Sequence, residues 1–169
     1  FSASFSPTMS KYGILFINTG KIIDCKFEHI SMYYNEDTFY AKVNGLWGIY
    51  DVNGEEIFEK VKGMVNYARM EINQIGDYYA YSKELINGDS IYDFDETKLI
   101  VNTLPIGLAG IEVYDLLRDE YDIQTEFGDI GNCLAYVSVG DRPRDIERLV
   151  SALAEIRRLY KKDRTGLMT

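Results

Sequence analysis

Two stretches of the chain repeat one another, "KYGILFINTGKII" at 11–23 and "LWGIYDVNGEEIF" at 46–58. Each runs from an aromatic–Gly pair through a short apolar segment to an Asn with a Gly close behind, then a second apolar segment. Gly13 matches Gly48 and Asn18 matches Asn53 at an offset of 35 residues; the offset becomes 34 at Gly20 and Gly54, because the second copy is one residue shorter. A fixed period of this length marks folds in which every copy is one small structural unit. Asn and Gly tolerate the positive φ of tight turns, and β-branched and aromatic residues fill hairpin arms. Each copy is therefore predicted to be a two-stranded hairpin. The stretch "TFYAKVNGLWGIYDVNG" continues in the same style, with Asn44-Gly45 as a further turn.

With the Trp47-Gly48 pair intact and Tyr12-Gly13 in the first copy, residues 11–59 resemble the WG repeat, a short β-rich unit. "KFEHI" stands where that repeat carries its lysine-aromatic-acidic linker. The likeness covers about one and a half units and implies an interaction module without chemistry of its own. A three- to five-stranded β-meander with aromatic residues as its core describes the same residues. Residues 1–10 read as a tail; "FSASFSP" lacks the basic start and long apolar centre of a signal peptide.

From about residue 60 the periodicity changes. Val61, Met64, Val65, Ala68 and Ile72 recur at helical spacing, and Gly76 is a stop. Residues up to 94 then form a polar-aromatic connector with four tyrosines, too many for all to face solvent, which suggests a surface or subunit interface. "TKLIVNTLP" is predicted to be a strand covered on both faces. "LAGIEVYDLLRDEY" should be a helix with Ile111, Tyr114, Leu117 and Tyr121 along one stripe. A strand from Ile123, a turn around Gly128 to Asn132 and a strand "CLAYVSVG" follow. Asp141 then caps a last helix, with Pro143 in its first turn and Ile146, Leu149, Val150, Leu153, Ile156 and Tyr160 on one face. The expected fold class is α+β, a β-hairpin meander followed by a β-α-β-β-α domain at 95–169 with helices on one face of a small sheet.

This order is carried by "DETKLIVNTLPIGLAGIEVYDLLRDEYDIQTEFGDIGNCLAYVSVGD". It resembles the C-terminal small domain of pyridoxal-phosphate enzymes of the aspartate-aminotransferase fold. More narrowly, it resembles the bacterial ornithine/lysine/arginine decarboxylases. The residues concerned are Asp95, Thr97-Lys98-Leu99, Gly107, Gly110, Leu117, Tyr121, Ile123-Gln124, Glu126, Asp129 and Gly140-Asp141. The segment "ARMEINQIGDYYAYSKEL" looks like the one preceding that domain. The resemblance implies decarboxylation of a basic amino acid, with pyridoxal phosphate as the electron sink of the complete enzyme. It also implies that the cofactor-anchoring lysine, the aspartate for the pyridinium nitrogen and the ring-stacking group belong to a large domain. The family's Ser-x-His-Lys signature is absent, since His29 is followed by Ile30. The expectation is a chain with no catalytic and no cofactor-binding residue, inactive alone.

A guanidinium or ammonium substrate tail needs anionic groups in a partly dry pocket. Glu126 and Asp129 are candidates for that role, with Asp95 and Thr97 at the strand mouth. Alternatively, Glu126 and Asp129 organise the turn or bond across a dimer interface. Lys98 belongs to a structural motif and is not proposed as a nucleophile. The junction between the halves fits three arrangements: a decarboxylase tail joined to a repeat array, a chimera, or one compact unit.

A formal charge of −9 excludes a general nucleic-acid binder. The basic cluster Arg157, Arg158, Lys161, Lys162 and Arg164 complements a helix dipole. Cys25 and Cys133 are far apart and show no metal or disulfide spacing, which points to a reducing cytoplasm. His29, the one histidine, reads as a strand-end or turn residue, so histidine-rich metal sites are excluded. No apolar run is long enough for a membrane helix. Partners are expected to be a second copy or another polypeptide.

Overall fold

The computed structural model describes residues 10–17, 19–35 and 38–161. Most of the 1–10 tail, Asn18 of the repeat, and Lys162 and Arg164 of the basic cluster lie outside them. The chain divides between Lys60 and Val61 into two compact units, each with its own apolar cluster. Mixed α+β architecture, sheets first and helices after, matches the expected class.

In the first unit β1 (Tyr12–Phe16) and β2 (Lys21–Phe27) form an antiparallel pair. β3 (His29–Asn35), β4 (Thr38–Val43) and β5 (Leu46–Asp51) form an antiparallel meander. Val43 pairs with Leu46 across a two-residue turn in which Asn44 and Gly45 have φ of 52° and 80°. Positive φ at both positions matches the right-handed twist of the flanking strands, as the Asn-Gly pair demands. His29 opens β3, and its ring meets Trp47 edge-on at 5.3 Å. The core is aromatic: Phe27 meets Phe39 and Tyr50 edge-on at 5.3 and 5.1 Å, and Ile23 and Ala41 complete it.

The two sequence copies share their turn and one pairing position. Leu15 pairs with Ile22 in the first, and Tyr50 bridges Glu56 in the second. Phe16 O accepts from the Gly20 amide, and Asp51 O accepts from the Gly54 amide, each at 2.8 Å. Both glycines have positive φ. The second copy departs from expectation after Glu56, because its second arm is a helix. The Glu56 carboxylate accepts the Glu59 amide at 2.7 Å and so caps the first turn of α1 (Ile57–Ile75). Helical periodicity in "IFEKVKGMV" overrides the hairpin pattern there.

The second unit stacks α1, α2 (Gly110–Tyr121) and α3 (Pro143–Tyr160) on a four-stranded antiparallel sheet. The strands are β6 (Tyr79–Ala80), β7 (Lys98–Asn102), β8 (Phe127–Gly128) and β9 (Asn132–Tyr136), in the order β6-β7-β9-β8. The five predicted residues of α1 are buried, and Gly76 ends the helix at φ 79°. Strand β6, inside the tyrosine-rich connector, has no counterpart in the sequence reading. Of the four connector tyrosines, Tyr78 is buried and donates from its hydroxyl to Leu153 O at 3.0 Å, whereas Tyr79 and Tyr92 are exposed.

Four further expectations need correction. In β7 only Leu99 and Val101 are buried, so the sheet is covered on one face and not on both. Helix α2 buries Gly110, Val113 and Leu117, while Ile111 is exposed. The stripe is rotated because Gly110 lies against the β9 backbone: a Cβ there would come within 1.9 Å of Asn132 O. The strand expected from Ile123 shrinks to Phe127–Gly128, and β9 ends at Tyr136, well before Gly140. Asp141 does not cap α3. Its carboxylate accepts the Ser138 amide at 2.6 Å, and the Arg142 amide is taken by Asp145 at 3.0 Å.

Candidate functional site

The β7–β9 register separates the four residues singled out from the sequence. Lys98 lies opposite Tyr136 and Asn102 opposite Asn132. Asp95 and Thr97 precede β7, whereas Asp129 precedes β9, so Asp129 lies at the opposite end of the sheet from Asp95 and Thr97. Five strand residues separate them, a span of about 13 Å or more at about 3.3 Å per residue. Glu126 sits beside edge strand β8, where its amide donates to Leu134 O at 2.9 Å. Asp129 is therefore set apart from Asp95 and Thr97, while Glu126 lies between them along the sheet edge.

Local duties occupy two of these carboxylates. Asp129 accepts the amides of Gly131 and Asn132 at 2.7 and 2.6 Å, and these bonds hold its pKa below the ordinary carboxylate value. Asp95 accepts the Thr97 hydroxyl at 2.6 Å and its amide at 2.9 Å, again lowering its pKa. Such bonds close tight turns. Asp129 thus makes the bonds of a turn organiser, one of the three roles the sequence left open.

The β8–β9 turn receives the start of α2. Amides of Gly110 and Ile111 donate to Ile130 O and Asp129 O at 3.4 and 2.9 Å, and the Ala109 amide donates to Glu112 at 2.7 Å. Thr103, fully buried, donates from its hydroxyl to Leu108 O at 3.0 Å. With its first amides engaged, this helix start has little left to offer an anion.

Arg69 is the polar anchor that the sequence reading missed. It lies among the apolar positions of α1 and is 5% exposed. Its guanidinium donates to Tyr81 O (2.8 Å), Lys98 O (2.6 Å), Glu96 O (3.1 Å) and Asn66 Oδ1 (2.7 Å). The Phe94 ring lies 5.2 Å away. Burial lowers its pKa, and Glu96 and Asp95 oppose that shift. The signal was present: a charged residue one position after Ala68, inside the stripe that Val65 and Ile72 continue. A second anchor joins α3 to the end of α1, where Asp77 pairs with Lys161 and Arg157 at 2.7 Å each. Hydrogen bonds from Lys161 and Arg157 lower the Asp77 pKa. The basic cluster thus serves an ion pair as well as a helix end.

The sheet face turned away from the helices carries a registered array. Tyr79, Asn102 and Asn132 form one row, and Ile100, Leu134 and Phe127 the next. Lys98 and Tyr136 form the third, with the ammonium 3.5 Å from the ring centroid. Tyr79, Phe127 and Tyr136 are exposed. Aromatic residues with two amides at one end suit contact with another surface. Among the described residues no group of three His, Cys, Asp or Glu could hold a metal ion. Cys133 is buried, which raises its thiol pKa and leaves it poorly suited to act as a nucleophile. No helix among the described residues is long and apolar enough to cross a membrane.

No family model and no solved structure matches the chain. Curated proteins do, over its C-terminal part. It is 36% identical over 109 residues to the arginine decarboxylase of Halalkalibacterium halodurans, covering 64% of this chain and 22% of that protein. It is 35% identical over 103 residues to the arginine decarboxylase of Bacillus subtilis, covering 61% of this chain and 21% of that protein. The arginine decarboxylase of Bacillus anthracis is 30% identical over 108 residues, covering 64% of this chain and 22% of that protein. The chain spans about a fifth of the length of the curated relatives it matches.

Proposed function

We propose that the second unit is the small-domain portion of a decarboxylase acting on arginine or a related basic amino acid. The likeness to arginine decarboxylases over 109 residues carries this reading. The order β7-α2-β8-β9-α3, with helices on one sheet face, supports it. In the complete enzyme pyridoxal phosphate would supply the electron sink for the carbanion left by departing carbon dioxide. The lysine that anchors the cofactor would come from the large domain of the complete enzyme. The chain's part is structural: it offers the open sheet face and its two amides to the lobe that holds the cofactor.

A chimera tests this reading. Residues 60–169 would replace the segment they align with in the Bacillus subtilis arginine decarboxylase, and release of carbon dioxide from arginine would be measured. Activity within about tenfold of the parent is expected, since a small domain of the same type preserves the geometry around the reacting groups. A folded, cofactor-loaded chimera without activity would overturn the proposal.

The first unit supports a second reading of the chain as a non-catalytic interaction module built on WG-type repeats. The turn and the pairing position that its two copies share favour it.

A further inference from the structure

The equivalence of the two copies defines what each strand edge needs. In the second copy the aromatic–Gly strand β5 has β4 on one side and the Glu56 segment on the other. In the first copy β1 has β2 on the side corresponding to Glu56. Its other edge, the counterpart of the edge that β4 fills, carries no strand among the described residues. Beside β1 lies a groove of about 350 Å³ lined by β1 residues Gly13 to Phe16, Leu15 among them, and by Ile30, Ser31 and Phe39. The counterparts also differ in cover. Tyr50 is 8% exposed under Phe27 and Phe39, while its equivalent Leu15 is 61% exposed, and the paired Ile22 is exposed beside it.

We propose that the open edge of β1 accepts one antiparallel strand of the β4 type, supplied by a further copy of this hairpin unit. The β4–β5 register prescribes the guest. Phe39 lies opposite Tyr50, Tyr40 opposite Ile49 and Ala41 opposite Gly48. Transferred to β1, a large apolar residue covers Leu15, a tyrosine-sized residue enters the groove opposite Ile14, and a small residue faces Gly13. Main-chain hydrogen bonds supply affinity and the alternating side chains supply selectivity, as in strand addition generally. An unpaired edge beside apolar side chains is otherwise a liability. The inference rests on the internal repeat and not on the decarboxylase likeness, so its failure leaves the second unit's reading untouched.

The probe is a synthetic peptide of residues 38–45 (TFYAKVNG), titrated into the isotope-labelled full chain. The expected result is saturable shift changes and slowed amide exchange at residues 13–16. Affinity should fall at least tenfold for a peptide with proline at the Tyr40 position. The exposed-site variant Leu15→Asp, which leaves the aromatic core untouched, should weaken binding to a similar degree. Three results would overturn the proposal: no change at residues 13–16 at millimolar peptide, changes confined to β5 through exchange with β4, or residues 13–16 already protected in the free chain.

Discussion

Arg69 shows how one side chain can hold several elements together. Its guanidinium satisfies the carbonyls of Tyr81, Glu96 and Lys98 across two loops and a strand. Replacement by methionine keeps the volume but leaves those acceptors unpaired, so Arg69→Met should cost about 3 kcal/mol in urea denaturation. Gly110 poses a contest of magnitudes. Alanine in a helix gains about 1 kcal/mol over glycine, but here its Cβ would meet the Asn132 carbonyl at 1.9 Å. Backbone must move, and overpacking of this kind costs about 1–3 kcal/mol. Gly110→Ala is therefore expected to lower the melting temperature rather than raise it. Asp77, Asp95 and Asp129 all have lowered pKa values in the fold. The unfolded chain then takes up protons first. Their contribution is present above the ordinary carboxylate pKa of about 4 and is lost as pH falls below it through the folded values. Denaturation midpoints followed downward from pH 6 should decline below about pH 4, and Asp77→Asn should flatten that decline.

Among the elements, the hairpin joining β4 and β5 is the most directly encoded. Asn44 and Gly45 both adopt the left-handed region. Gly45→Val should destabilise the first unit by about 1–2 kcal/mol, since a β-branched residue is strained there; a drop in unfolding midpoint with unchanged folded spectra would show it. Helices α1 and α3 were legible for a similar reason, as their apolar stripes are long and Gly76 and Pro143 mark a stop and a start, although Asp141 does not cap α3 and Tyr160 is exposed. Features set by tertiary contact were not legible. The rotation of α2 follows from the Gly110–Asn132 approach, which no periodicity reveals. Strand β6 has two residues and exists because β7 offers it an edge. The second arm of the second repeat copy became helix because Glu56 caps it and the residues beyond carry a helical stripe. Of the candidate carboxylates, Asp129 was legible as a turn former; the same duty at Asp95 was not read from the sequence. The separation of Asp95 from Asp129 depends on the β7–β9 register, which lies beyond local pattern.

At the scale of the whole molecule the two apolar clusters are unequal. Among the described residues the second joins three helices and a sheet around 19 buried residues, whereas the first has five. Small cores leave little net stability. A fragment of residues 57–169 is expected to unfold cooperatively by calorimetry, and a fragment of residues 1–60 to melt broadly and at lower temperature. A broad, non-cooperative melt of the larger fragment would contradict this assignment of cores. The chain has a single tryptophan, Trp47, which is half exposed on β5 next to His29. Its emission therefore monitors the hairpins. An optical titration followed by that indole alone would record the weaker transition and mistake it for the whole, so the decarboxylase-like part must be followed by its helical dichroism instead.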